Sequence, residues 1–261
     1  FPRSESGRVF EVHSKKGEFI ANPCLASRKD LRDSVTAARA AQHGWAKATA
    51  YNRGQILYRI AEMLEGRAEQ CAAEISTTTA ITPLKAQSMV SEAIDRWVWY
   101  AGWSDKLSAV TGATNPVAGP YYNFTIPEPL GVVVVTASDS FIDFIDAIAA
   151  AVVSGNSVIA LVDGGLSVPA MTFAEVLATS DLPAGVINIL TGSLDELAPW
   201  AASHMDVDGF DISAIGKKKR TELKVAGAEN LKRIYIADGK LTPSRILAFM
   251  EQKTVWHTIG V

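Results

Sequence analysis

The 261-residue sequence has few cysteines, no long apolar run and no strong excess of charge of one sign. Two cysteines, Cys24 and Cys71, are too few for a disulfide framework or a zinc site. A net charge of −3 gives no reason to expect a nucleic acid or an anionic membrane as partner. The longest apolar stretch, residues 141–153, is interrupted by two aspartates and is too short to span a bilayer. With no signal peptide visible, these absences predict a reducing, cytoplasmic location.

The first 110 residues are predicted to form a strand pair followed by helices. In order, the pattern predicts a strand pair at residues 8–21 and helices at 27–45, 56–75 and 84–107. Ser27 and Asp30 have the spacing of a capping box, which opens the first helix. Cys71 lies on the apolar face of the second helix, where a small core residue is expected. The aromatic residues of the third helix recur at helical spacing, which favours packing over a ligand cage.

The remaining residues alternate between strand and helix patterns. Residues 111–129 are rich in proline and glycine and are predicted to form an arm or hairpin. Strands follow at 131–136, 157–162, 186–190 and 207–212, with helices at 141–153, 169–178 and 194–203. Such βαβ repetition predicts an α/β fold with a Rossmann-like parallel sheet flanked by helices. Ligands usually bind beyond the carboxyl ends of the strands in sheets of this kind.

Several short strings, in order along the chain, resemble the aldehyde dehydrogenase superfamily. They are Glu128–Val133, Gly155-Asn156, Leu182–Asn188, Ser203–Asp208 and Asn230–Arg233. The resemblance implies a cofactor-domain scaffold with an N-terminal strand pair and helices (1–110), a projecting oligomerisation arm (111–130), a Rossmann-like core (131–240) and a C-terminal oligomerisation strand (241–261). No single match is decisive, but their number, order and approximate spacing carry the assignment.

The last part of the chain resembles a segment that lies elsewhere in full-length members. Residues 248–256 are similar to the C-terminal strand of the family's small oligomerisation domain. Only a few residues, near 239–242, separate this strand from the nucleotide-binding part. A full-length member places its catalytic domain in that interval. The resemblance therefore implies a truncated, degenerate member that lacks the thiol-bearing catalytic domain.

The residues that carry out aldehyde oxidation in the family are not found. The reaction needs a cysteine nucleophile, an asparagine amide for the oxyanion and a general-base glutamate. Neither Cys24 nor Cys71 stands in a comparable context, and Ala237 occupies the glutamate position. The neighbouring Asp238 is a poor substitute because adjacent side chains of a strand point to opposite faces. Ser138-Asp139-Ser140 replaces the family's Pro-Trp-Asn, and we expect Ser138 and Ser140 to be helix-capping and loop residues.

The cofactor contacts of the family are also replaced. Leu161 stands where a lysine usually contacts the ribose, and Ala214 and Lys219 fall where glycines frame the pyrophosphate. Side chains at these two positions should obstruct the approach of backbone amides to phosphate. The resemblance therefore implies that no cofactor is bound, and it leaves residual NAD(P) binding as the alternative.

A run of four cations, Lys217 to Arg220, lies at the start of a predicted helix, where positive charge is unfavourable for the helix dipole. Three interpretations stay open: a solvated face, a contact with an acidic patch on a partner, or a phosphate site. The four histidines are scattered and show no metal-ligand spacing, so no metal is expected.

The pattern of losses and retained elements favours a structural role. The arm and the terminal strand have unpaired strand edges, which a lone protomer would need to cover. The predicted subunit interface comprises Tyr122, Asn123, Phe124, Thr125, Lys253, Thr254, Val255 and Trp256. We expect a pseudoenzyme subunit that forms a hetero-oligomer with a full-length aldehyde dehydrogenase. Two alternatives are an NAD(P)-dependent aldehyde oxidoreductase completed by a partner, and a stand-alone nucleotide-binding or scaffold module.

Overall fold

The computed structural model describes residues 4, 6–79 and 81–259, and its N-terminal part is a strand pair followed by helices. The elements are β1 (Val12–His13), β2 (Phe19–Ala21), α1 (Arg28–Lys47), α2 (Ala50–Glu65), α3 (Ala68–Thr78), α4 (Pro83–Ala101) and α5 (Leu107–Thr111). The strands β1 and β2 pair antiparallel, as predicted. The capping box at the start of α1 is confirmed, because the Ser27 hydroxyl and the Asp30 carboxylate each accept a hydrogen bond from the other residue's backbone amide.

Two of the predicted helices are shorter than their apolar patterns. The helix predicted over residues 56–75 is in fact two helices, α2 and α3, which are separated at Gly66-Arg67. The helix predicted to reach residue 107 ends at Gly102, and a turn precedes α5. Apolar residues keep nearly the same spacing across both breaks, since all of these helices pack on one core. Periodicity alone therefore could not reveal the breaks.

Residues 111–129 form the predicted hairpin, which a third strand joins. Its strands are β3 (Ala113–Asn115) and β4 (Tyr121–Pro129), and β10 (Met250–Thr258) pairs antiparallel with the whole of β4. The strand order is β10-β4-β3, so β10 lies at an edge of this sheet. We call these three strands the arm.

The body of the molecule is a five-stranded parallel sheet flanked by helices, which confirms the predicted fold class. Its strands are β5 (Val132–Ala137), β6 (Ser157–Val162), β7 (Ile187–Thr191), β8 (Gly209–Asp211) and β9 (Arg233–Tyr235), in the order β7-β6-β5-β8-β9. The accompanying helices are α6 (Phe141–Val152), α7 (Ser167–Ala178), α8 (Leu194–Ser203), α9 (Lys217–Ala228) and the one-turn α10 (Ser244–Leu247).

Both faces of the parallel sheet are buried, which explains its nearly continuous apolar strands. In β5, Val133 and Val135 pack towards α4, α6 and α7, whereas Val132 and Val134 pack towards α1 and α8. Residues 246–250 join the first of these two core layers. The terminal segment is thus part of the body as well as of the arm. None of the helices in the described part of the chain is long and apolar enough to cross a membrane.

A cluster of aromatic rings from α4, α6 and α7 provides a test of this packing. Phe173 is fully buried, and its ring centroid lies 5.8 Å from that of Trp97 and 5.5 Å from that of Phe144. We predict that Phe173→Ala lowers the free energy of unfolding by about 3–5 kcal/mol, because it leaves a cavity in a close-packed layer. Urea unfolding measures this change. The control Phe19→Ala, at a ring that is 57% exposed, should cost much less, and equal costs would contradict the assigned core.

Candidate functional site

The strand order identifies one crevice as the candidate ligand site. The chain runs from β5 to β6 and then to β7, which both lie on one side of β5, and β8 and β9 lie on the other side of β5. The direction of winding therefore changes between β5 and β8, and ligands of open α/β sheets bind outside the carboxyl ends of the strands at such a point. We call this place the strand-end crevice. Residues 138–140 and 212–216 follow β5 and β8 into it.

The loop after β8 is closed by its own hydrogen bonds. The Asp211 carboxylate accepts hydrogen bonds from the Ser213 amide, at 2.9 Å, and from the Ser213 hydroxyl. That hydroxyl oxygen accepts a bond of 2.8 Å from the amide of Ala237 in the neighbouring strand-end loop. The Thr136 hydroxyl donates to the Asp211 carbonyl at 3.0 Å. Ala237 thus contributes its backbone to this network and brings no acid–base group into the crevice.

A buried ion pair completes the network. The Arg245 guanidinium lies 2.7 Å from the second carboxylate oxygen of Asp211, and these side chains are 7% and 0% exposed. Arg245 Nε has no hydrogen-bond partner among the described residues. Neither Asp211 nor Arg245 was predicted from the sequence. An aspartate within an apolar strand indicates a buried charge, but it does not identify the residue that pairs with it.

Positively charged side chains close the loop that would have to face a phosphate. Arg220 donates to the carbonyls of Ser213 and Ile215, at 2.8 Å each. Lys219 lies 2.6 Å from Asp195, so that this pair bridges the first turns of α9 and α8. The pair is exposed and contributes little to stability. Lys219 thus carries a side chain, paired with Asp195, at a position where the family resemblance predicts a glycine.

The positions predicted to have lost cofactor contacts lie around the same crevice. Leu161 is fully buried on the face towards α1 and α8, so it offers no polar group to a ribose. Ser140 caps α6 and accepts a hydrogen bond from the Asp143 amide, whereas the Ser138 hydroxyl bonds to the exposed Asp139. Ala214 N–H donates to the Thr136 hydroxyl at 3.3 Å. Hydrogen bonds thus join Ala214 and Ala237 to the ends of β5 and β8, and the absence of a bound cofactor stays a prediction.

A second buried ion pair lies on the sheet face covered by α6. Asp146 of α6 pairs with Arg96 of α4, and Tyr100 is buried beside them. Burial raises the pKa of the Asp146 carboxyl to about 6, although Arg96 and Arg245 oppose this shift. One Asp146 oxygen lacks a hydrogen-bond partner in the described structure. The aspartate noticed in the sequence as an interruption of an apolar run is thus a buried charge.

Neither thiol lies in the crevice. Cys71 is fully buried in α3, and burial raises the pKa of its thiol to about 12, so it carries almost no thiolate at neutral pH. Cys24 is exposed, and its carbonyl accepts a hydrogen bond from Thr191 at the end of β7, two strands away from β5.

The predicted interface residues all lie in the arm. Asn123, Phe124 and Thr125 of β4 stand opposite Trp256, Val255 and Thr254 of β10. Asn115 of β3 donates to the side chains of Asn123 and Thr125, at 2.6 and 2.9 Å. Trp256 is 60% exposed and packs its ring against that of Tyr121. Within the described residues the outer edge of β10 has no partner strand.

Comparison with known sequences supports the family resemblance. The model of the Aldehyde dehydrogenase family matches residues 1–250. An aldehyde dehydrogenase of Emericella nidulans is 28% identical over all of this chain and 53% of its own length. Retinal dehydrogenase 2 of Gallus gallus is 31% identical over 94% of this chain and 48% of its own length. The chain thus spans about half the length of the curated relatives that it matches.

Solved structures agree with the fold. A putative aldehyde dehydrogenase from Burkholderia cenocepacia superposes with a TM-score of 0.84 at 26% identity, over 90% of this chain and 50% of the other. A betaine aldehyde dehydrogenase variant from Staphylococcus aureus, in complex with NAD+, superposes equally well at 20% identity, over 90% of this chain and 48% of its own. At that identity the second likeness concerns the fold alone.

Thiol reactivity tests the assignment of the two cysteines. We predict that the native chain reacts with one equivalent of Ellman's reagent at pH 8, and that Cys24→Ser abolishes this fast reaction. Cys71 should react only after unfolding, because its buried thiol is not ionised. Absorbance at 412 nm follows the reaction. A fast native reaction in the Cys24→Ser variant would mean that Cys71 is accessible and ionisable.

Proposed function

The chain belongs to the aldehyde dehydrogenase family, and we propose that it serves there as a catalytically inactive subunit. In this proposal it assembles with a full-length aldehyde dehydrogenase in a reducing, cytoplasmic compartment, and it stabilises or regulates that enzyme. Binding of a cofactor by the chain alone is not required.

The observation that carries the proposal is the closure of the strand-end crevice by the chain's own side chains. A nucleotide phosphate needs free backbone N–H groups at the loop after such a strand. Here Asp211 and Ser213 satisfy each other and the neighbouring amide, and Arg220 holds the loop carbonyls. Opening this loop for a cofactor would take the Ser213 donors away from the buried Asp211 carboxylate, and a buried polar group that loses its donors costs about 1–3 kcal/mol, or more when it is charged.

The arm supports the assembly part of the proposal. An edge strand of nine residues offers unpaired N–H and C=O groups to another strand. Exposed apolar side chains accompany it, since Trp256 is 60% and Tyr122 46% exposed. A strand from another subunit would satisfy the backbone and cover these rings. A full-length family member is our choice of partner because it would supply the nucleophile, base and oxyanion donor that the family resemblance does not identify in this sequence.

A second candidate function keeps nucleotide binding. The likeness of the fold to an NAD+-bound enzyme favours it, as do Lys217 and Lys218, which are exposed in the first turn of α9, a helix without a side-chain cap. In this alternative the chain would be an NAD(P)-dependent oxidoreductase completed by a partner, or a stand-alone nucleotide-binding module. It requires several chemical roles to be filled from elsewhere, so we place it second.

Purification from the native source, with size-exclusion chromatography, mass spectrometry and an NAD-dependent aldehyde assay on each fraction, tests the proposal. We expect the chain to elute with a full-length aldehyde dehydrogenase and the activity to follow that partner. Trp256→Glu should abolish co-elution, because it places a charge in the proposed interface. The control Leu84→Glu, at an exposed position outside the arm, should not. A chain that elutes alone and reduces NAD with an aldehyde would contradict the proposal.

A further inference from the structure

One short segment covers the sheet face over β8 and β9. Residues 242–249, which we call the strap, contain α10 and lead directly into β10. Ile246 and Phe249 of the strap are fully buried, and the Phe249 ring centroid lies 5.7 Å from that of Tyr235 in β9. The strap is therefore part of the core, although its only helix has four residues.

A small set of polar contacts attaches the strap to the body. Arg245 pairs with Asp211, and the Phe249 carbonyl accepts hydrogen bonds from the Asn156 side chain at 2.9 Å and the Leu130 amide at 3.2 Å. The Ala248 carbonyl accepts a longer bond, of 3.4 Å, from Arg233 of β9. A one-turn helix has no stability of its own in water. Its persistence therefore depends on these contacts and on the burial of two apolar side chains.

The segment before the strap has the features of a hinge. Residues 238–241 are exposed and outside helices and strands. Gly239 has φ +78°, and nothing lies within 4 Å of the place where a Cβ would stand. Rotation at Gly239 meets no packed neighbour. The backbone of β9 can therefore stay in the sheet when the strap moves, whereas the contacts of Phe249 with Tyr235 and of Ala248 with Arg233 would break.

The charges beneath the strap are incompletely satisfied. Arg245 Nε and one oxygen of Asp146 are buried without a hydrogen-bond partner in the described structure. Each such group costs about 1–3 kcal/mol relative to its hydrated state. Opening of the strap would hydrate Arg245 Nε, which is orphaned in the closed state, but it would also separate the guanidinium from Asp211. The gain at Nε offsets part of the apolar burial lost at Ile246 and Phe249, so we expect the strap to open at a lower free energy than the sheet unfolds.

We propose that the strap is a conformational latch, which opens as a unit on the hinge at residues 238–241 while the parallel sheet stays folded. Arg245 and Asp211 hold it closed. Opening uncovers Asp211 and Tyr235 beside the strand-end crevice and loosens the attachment of β10 to the body. Because strap and β10 are continuous, a subunit bound to the arm would bias the latch. The latch itself is a property of this chain and does not depend on the proposed partner.

Native-state hydrogen exchange at low denaturant concentrations tests the latch in the unmodified chain. The reporters are the amides of Leu247 and Ala248, which donate to Pro243 and Ser244 at 3.0 and 2.9 Å, and the Val158 amide in β6, bonded to Val186 at 2.7 Å. We expect the strap amides to exchange through an opening with a small but measurable denaturant dependence, because Ile246 and Phe249 become exposed, and Val158 through global unfolding with a much larger one. The same denaturant dependence at all three amides would overturn the proposal.

Removal of the ion pair gives an independent test. The double variant Asp211→Asn/Arg245→Met takes away both charges, so that neither is left buried alone. We expect strap amides to exchange at least about tenfold faster, equivalent to about 1.4 kcal/mol, with Val158 unchanged. The control Arg67→Met/Glu175→Gln removes an ion pair of 2.5 Å whose residues are far from the strap in sequence. It should change neither the exchange rate of the strap amides nor that of Val158. Equal acceleration of strap and sheet, or none in the strap, would contradict the latch. If the variant fails to fold, the unmodified chain still decides the question.

Discussion

The carboxylate of Asp211 lies inside the core at the end of a central strand, and the surrounding structure satisfies that charge. An unpaired buried carboxylate is costly, so its neighbours must supply donors. Ser213 and Arg245 do so, from the adjoining loop and from a segment 34 residues later in the chain. Through Ser213 the network also reaches the backbone of Ala237. The place where a parallel sheet would admit a ligand is therefore occupied by internal contacts.

The same interaction connects the body to the arm. Arg245 fixes the residues that precede β10, and β10 pairs along the whole of β4. The terminal segment thus contributes Ile246, Phe249 and Met250 to the core and an edge strand to the arm. In the proposed assembly, the edge of β10 is the place where a strand of another subunit would pair.

Sequence patterns predicted the parallel sheet, the hairpin and the first helix because apolar periodicity and turn residues are local signals. Helix ends at Gly66 and Gly102 were not predicted, since the apolar spacing continues through both breaks. The degenerate positions Leu161, Ala214 and Ala237 were identified by family resemblance, and the structure brings them to one end of the sheet. The ion pair between Asp211 and Arg245 joins residues 34 positions apart, so it depends on tertiary folding and no local sequence pattern predicts it. The strap was not predicted either, because four helical residues carry too little periodicity.

We propose that the strand-end crevice is closed to a dinucleotide. Isothermal titration of the purified chain with NAD+ and with NADP+ measures whether either cofactor binds. We expect no saturable binding, because the loop after β8 bonds to itself and because Ala214 and Lys219 stand where the family resemblance predicts glycines. Saturable binding at a stoichiometry of one, abolished by substitution of Lys217 and Lys218, would show that the crevice admits a cofactor and would support the nucleotide-binding alternative.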